Sequence, residues 1–132
     1  MAVEFTIYTW IKASPGRIYN TWLDSKGHSA MTGGVARMNR RIGAEFTAWD
    51  GYIRGKNLEL EPEKRILQSW RTTDFTEGEP DSLLEITFHA ENGGTRVVIS
   101  HSQLPVHGFQ YEQGWIDHYF TPMKTYFENS LV

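Results

Sequence analysis

Apolar and polar positions alternate over residues 4–12, which puts Phe5, Ile7, Thr9 and Ile11 on one side of an extended chain. A period of two predicts a strand. Ala13-Ser14-Pro15 ends it and opens a helix. The Ser14 hydroxyl can accept a free N–H of the first turn, and Pro15 suits the first helical position because its missing N–H costs nothing there. At about 100° per residue, Pro15, Ile18, Tyr19, Trp22 and Leu23 share one arc, with Arg17, Asn20 and Thr21 opposite. Asp24-Ser25 caps a second short helix that Gly33-Gly34 ends.

The period then returns to two, and six strands are expected over residues 35–42, 44–49, 52–61, 65–73, 81–91 and 94–103. Their inward faces carry Ala36, Met38 and Ile42, then Ile66, Gln68 and Trp70, then Leu84, Ile86 and Phe88, and finally Val97, Ile99 and His101. Asp50-Gly51 and Asn92-Gly93 are two-residue hairpin signals, since both pairs accept positive φ. Gly55 marks a bulge in this reading. Glu61-Pro62-Glu63-Lys64 is a turn, and residues 74–80 form a polar loop.

A long helix closes the chain over residues 111–131. One arc about 180° wide holds Trp115, Ile116, Tyr119, Phe120, Met123, Tyr126, Phe127 and Leu131. Asp117, His118, Thr121, Lys124, Thr125, Glu128 and Asn129 lie opposite. Pro122 removes the bond to the His118 carbonyl and should kink the helix. The order is strand, two short helices, six strands, long helix. Short connections make the sheet antiparallel. Helices then gather on one face, an α+β fold in which a curved sheet wraps around the aromatic side of the last helix.

The 132 residues fit a single domain, residues 1–132, with no repeat and no linker. Aromatics stand out, with 5 Trp, 6 Tyr and 7 Phe. With no cysteine there is no disulfide framework, thiolate nucleophile or cysteine-ligated metal. No apolar run has the length of a membrane span or a signal peptide, and a cytoplasmic protein is expected. The net charge of −3 argues against nucleic acid, despite the small basic cluster of Arg37, Arg40 and Arg41. Phosphate-binding glycine loops and the G-x-S-x-G nucleophile signature are absent. Glu45, Asp50, Glu59 and Glu61 lie on neighbouring strands, but Glu45 faces solvent and Asp50 is explained by its turn.

Several stretches recur in a known order: Ala13-Ser14-Pro15, Phe46 through Asp50-Gly51, and Leu58-Glu59-Leu60-Glu61-Pro62. Ser69-Trp70-Arg71, Gly93-Gly94-Thr95, His101-Ser102 and Gly114-Trp115 follow. With these, the chain resembles the activator of heat-shock-protein-90 ATPase homologue-1-like family of the START-like, or SRPBCC, superfamily. The resemblance implies the helix-grip fold and a hydrophobic ligand held between sheet and long helix. It also implies two alternatives: modulation of a chaperone ATPase, and a cavity enzyme of the cyclase or hydrolase type. The eukaryotic co-chaperone that the chain resembles carries an additional N-terminal domain.

Ligand cavities are mostly apolar with a few placed polar groups. The residues expected at such a pocket are His28, Met31, Phe46, Gln68, Trp70, His101, Trp115, Tyr119 and Met123, with entry near residues 24–34. Of the five histidines, His89, His107 and His118 are expected in solvent and His101 inside. They show no metal-ligand spacing, and no carboxylate shares the His101 face, so no metal, cofactor or catalytic residue is assigned. If the cavity were an enzyme's, His101 would be its acid or base. A small hydrophobic molecule or a chaperone is the expected partner. The chain is read as a monomer or weak dimer, with Trp10, Phe109 and Tyr111 as candidate contacts.

Overall fold

The computed structural model describes residues 2–129, so Leu131 lies outside the described residues. Strand β1 spans Val3–Ile11, helix α1 Pro15–Trp22 and helix α2 Ser25–Thr32. Strands β2 to β6 span Glu45–Ala48, Ile53–Glu61, Arg65–Thr72, Ser82–Glu91 and Gly94–Leu104. A 3-10 turn, Val106–Phe109, leads into the C-terminal helix. This consists of α3 (Gln110–Trp115), a π-helical turn (Ile116–Phe120) and α4 (Thr121–Asn129). The strands form one curved antiparallel sheet in the order β1-β6-β5-β4-β3-β2.

Local chemistry explains most boundaries. Ser14 Oγ accepts the Arg17 N–H at 3.2 Å, and Pro15 occupies the first turn of α1. Asp24 Oδ2 accepts the Gly27 N–H at 2.7 Å, and Gly33, at φ 91°, ends α2 in the left-handed conformation. Strand alternation puts Ile66, Leu84, Ile86, Phe88, Val97 and Ile99 inside, against Trp115, Tyr119, Phe120, Met123 and Phe127 of the C-terminal helix, and these residues are all buried.

The sheet has six strands in all, one fewer than expected, because residues 35–42 do not form a strand. Only Arg37 bridges β2, through Thr47. Side chains claim several of the segment's other backbone groups. Ser29 Oγ accepts the Ala36 N–H and Ser25 Oγ accepts the Met38 N–H, both at 2.8 Å. The Asn57 amide donates to the Asn39 and Arg41 carbonyls at 2.7 and 3.1 Å. With these groups already satisfied, the segment has no ladder to offer.

Three smaller expectations are corrected. The hairpin at Asp50-Gly51 is a four-residue loop, because Ala48 pairs with Ile53. Trp49 and Asp50 both take positive φ, 50° and 60°, and Asp50 turns aside to exchange hydrogen bonds with the Val35 backbone. The bulge in β3 falls between Asn57 and Glu59 rather than at Gly55. Gly55 is needed for close approach instead, since a Cβ there would collide with the Ser69 carbonyl and the Phe46 ring. Ile116, expected inside, is exposed.

The disruption expected at Pro122 takes the form of the π turn just before it. There the Thr121 N–H reaches back to the Ile116 carbonyl, so the helix continues through the residue that has no donor. By contrast, the second hairpin is the tight turn its sequence signals. Asn92 and Gly93 take φ of 49° and 77°, and Glu91 pairs with Gly94.

Candidate functional site: an aromatic cavity under the C-terminal helix

A cavity of about 280 Å³ opens between the β2–β3 hairpin and the C-terminal helix. The hairpin contributes Trp49 and Tyr52, β3 begins with Ile53, and β4 contributes Trp70 from its inner face. The helix supplies Tyr111, Gly114, Trp115, His118 and Tyr119. These five recur at i, i+3, i+4, i+7 and i+8, a single stripe on successive turns.

Two hydrogen-bonded chains behind the wall hold its rings. In one, the Trp115 indole N–H donates to His101 Nδ1 at 3.0 Å, and His101 Nε2 meets Ser82 Oγ at 2.9 Å. Ser82 Oγ in turn donates to the Trp70 carbonyl at 2.7 Å. The Trp70 ring stands edge-on to His101, 4.5 Å between centroids. In the other, Tyr119 hydroxyl meets His28 Nε2 at 2.9 Å and His28 Nδ1 donates to the Trp22 carbonyl at 2.8 Å. Trp22 then stacks on Tyr119 and on Trp115, with centroids 5.0 and 6.2 Å apart. At the far end the Tyr111 hydroxyl pairs with Thr72 Oγ1, and the Tyr52 hydroxyl donates to Asp74 Oδ2, both at 2.6 Å.

These partners fix the protonation states. The Trp115 indole can only donate, so His101 Nδ1 is the bare nitrogen and the proton sits on Nε2, facing Ser82. That tautomer cannot take the Ser82 proton, so the pair is a tether and not a nucleophile with its base. The Trp22 carbonyl can only accept, so His28 carries its proton on Nδ1. Burial lowers His101 from 6.5 to about 3 and His28 from 6.5 to about 4. Burial also raises the Tyr119, Tyr52 and Tyr111 phenols. The buried histidines and the tyrosines of the wall are therefore uncharged at physiological pH.

Of the residues expected at a pocket, Trp70, Trp115 and Tyr119 line this cavity. His101 and His28 lie one layer behind, where they orient Trp115 and Tyr119. Gln68 is buried beside them but donates to Asn57 Oδ1 at 2.9 Å, bracing the 39–41 segment. Phe46 is buried against Gly55, and Met31 and Met123 are wholly buried in the core. No residue of 24–34 lines the cavity, and its rim is formed instead by the 49–52 loop and His118. Trp49, Tyr52, Ile53, Tyr111, Gly114 and His118 were not among the expected residues. The stripe spacing from Tyr111 to Tyr119 could have revealed the helical ones.

Of the other histidine and contact expectations, His107 and Tyr111 depart from the sequence reading, while His118, Trp10 and Phe109 are exposed as expected. His118 is exposed, yet its ring meets Trp49 edge-on at 5.4 Å. His107 is half-buried and bonds Glu79 Oε1 at 3.0 Å. Tyr111 is buried rather than available for dimer contacts, whereas Trp10 and Phe109 are exposed. Among the described residues no group of three or more His, Cys, Asp or Glu could hold a metal ion. None of the described helices is long and apolar enough to cross a membrane.

A curved antiparallel sheet gripping a long C-terminal helix defines the helix-grip, START-like fold. More narrowly, the chain belongs to the activator of Hsp90 ATPase homolog 1-like protein family, whose model matches residues 12–128. It is 27% identical over 125 residues to the human activator of 90 kDa heat shock protein ATPase homolog 1, covering 94% of this chain and 37% of that protein. The chain thus spans well under half the length of the curated relatives it matches. Among solved structures it is similar to an HSP90 activator from Plasmodium falciparum, with a TM-score of 0.81, 18% identity, and coverage of 95% of this chain and 94% of that one. It is also similar to the Aha1 dimer from Colwellia psychrerythraea, with a TM-score of 0.82, 17% identity, and coverage of 98% and 99%.

Proposed function

We propose that this domain binds a small organic molecule in the aromatic cavity. The observation that carries this reading is a solvent-open space of about 280 Å³ walled by large rings, with Gly114 in its lining and, apart from its chain neighbours and its own helix backbone, nothing within 4 Å of where a Gly114 Cβ would stand. Protein interiors are close-packed, and an unfilled apolar space costs stability. A larger side chain at position 114 would have filled it. The volume sits at the small end of the range for ligand sites, which favours a fragment-sized ligand over a lipid.

The test is a thermal-shift screen of apolar and aromatic fragments against the wild type and Gly114→Leu, with native mass spectrometry of the purified protein. A true ligand at about 100 times its Kd should stabilise the wild type by about 2.7 kcal/mol and leave Gly114→Leu unmoved. Silence in the wild type, or equal shifts in both proteins, would remove the cavity from the account.

Family membership favours a second reading, in which the domain contacts a heat-shock-protein-90-type chaperone and modulates its ATPase. The named relatives support it, although the chain matches only part of their length. A pull-down and ATPase assay with the chaperone from the same source tests it. No complex and no change in turnover would set it aside. Enzymatic use of the cavity gains no support from His101, which lies behind Trp115 with its proton on the wrong nitrogen for a base toward Ser82.

A further inference from the structure

We propose that the aromatic cavity is a cage for a small organic cation, an alkylated ammonium group held by the π-electrons of its Trp and Tyr rings. This rests on the cavity-binding reading above and names the class of ligand.

Three observations point to a cation rather than a neutral apolar group. The first is the choice of rings. The lining holds three Trp and three Tyr, but none of the chain's 7 Phe, and Ile53 is its one branched aliphatic side chain. A neutral alkyl ligand gains as much from Leu, Val or Met walls, which this protein has in its core. Trp above all draws a cation to its ring, and desolvated pairs are the strongest.

The second is the inclination of the rings. Trp70 stands at 81° to Tyr111 and 36° to Trp115, while Trp115 stands at 48° to Tyr119. With centroids 4.9, 5.8 and 4.6 Å apart, these rings pack on one another into one faceted aromatic wall, which offers a rounded ammonium several ring surfaces at different tilts. A flat aromatic ligand would ask for parallel walls.

The third is the charge around the cavity. No Lys or Arg lines it. Asp74 accepts the Tyr52 hydroxyl at 2.6 Å, whereas Glu79 is engaged by His107 at 3.0 Å. The Asp74 carboxylate thus places negative charge at the hydroxyl end, which favours a cation. The neighbouring Arg71 is spent on Asp81, at 2.8 Å, and on the Thr76 and Glu79 carbonyls. His118 at the rim is the one lining group that could carry positive charge.

The test compares choline with its uncharged carbon isostere, 3,3-dimethylbutan-1-ol, by calorimetric titration of the whole chain. Shape and apolar area are nearly shared, so the difference reads the charge. Choline should bind at least about tenfold tighter. Asp74→Asn, at an exposed position, should weaken choline several-fold and leave the alcohol unchanged. Trp49→Leu should remove most of the preference. Gly114→Leu should abolish both titrations. If the alcohol binds as well as choline or better, the cation class is wrong and the cavity reading survives. If choline binds Gly114→Leu unchanged, its site lies elsewhere and the proposal falls. If neither probe binds and the fragment screen is also silent, both readings fall together.

Discussion

The two buried imidazoles make folding stability depend on pH in a definite direction. His28 and His101 stay neutral in the native state because burial lowers them from 6.5 to about 4 and about 3. In the unfolded chain both return to about 6.5. Their contribution is therefore present in full above the unfolded value. It is lost as pH falls from there toward 4 and 3, because the unfolded state takes up protons that the native state refuses. At pH 5 each group should cost about 2 kcal/mol relative to pH 8, or about 4 kcal/mol together. That is a large share of a domain's usual margin of about 5–15 kcal/mol.

Urea denaturation followed by tryptophan fluorescence would measure this, at half-unit steps from pH 8 to 5. Between pH 6 and 5 the slope should be about 2.4 kcal/mol per unit. His28→Asn keeps a donor for the Trp22 carbonyl, and His101→Gln keeps an amide near Ser82. Each variant will lose stability for reasons of its own, but each should also halve the slope. The slope is the readout that a purely structural loss does not move. An unchanged slope in both variants would show that neither histidine is held neutral, and the tautomers assigned from Trp115 and the Trp22 carbonyl would then be wrong.

Other expectations follow from the same geometry. Gly114→Ala should stabilise the protein by about 0.5–1 kcal/mol, because alanine favours a helix interior over glycine and its methyl group meets open space; a lower melting temperature by calorimetry would contradict this. Gly55→Ala should cost about 3 kcal/mol or more, since the new Cβ strikes the Ser69 carbonyl across the β3–β4 ladder; urea midpoints within error of wild type would contradict it. Tyr111→Phe should cost about 1 kcal/mol by removing one of the two partners of Thr72 Oγ1, which keeps the Asp74 N–H at 3.1 Å, while leaving the volume of the cavity nearly unchanged; a double-mutant cycle with Thr72→Val should recover that coupling.

Elements whose pairing partners lie close in sequence could be read from the chain, and the cavity could not, for one physical reason. Alternation along β4, β5 and β6 declares an inner face, and Ser14, Asp24 and Gly33 declare helix ends, because each signal depends on neighbours a few residues away. The segment 35–42 alternates just as well, yet Ser25, Ser29 and Asn57 had already satisfied several of its backbone groups from elsewhere in the chain. Inner face and cavity wall are also different questions. His101 and Trp70 share an inward orientation, but Trp70 reaches the cavity and His101 stops behind Trp115. The distinction arises from the indole N–H that seats on His101 Nδ1. Trp49 and Tyr52 escaped notice for the opposite reason. They flank Asp50-Gly51, a pattern that predicts a tight turn and therefore exposed shoulders. Because Asp50 binds the Val35 backbone instead, the loop widens to four residues and carries both rings to the mouth of the cavity. The site is thus made by departures from local rules: a loop drawn aside at Trp49, a π turn before Pro122, and a glycine left inside a helix at 114. Natural sequences tend to accept such departures where function requires them.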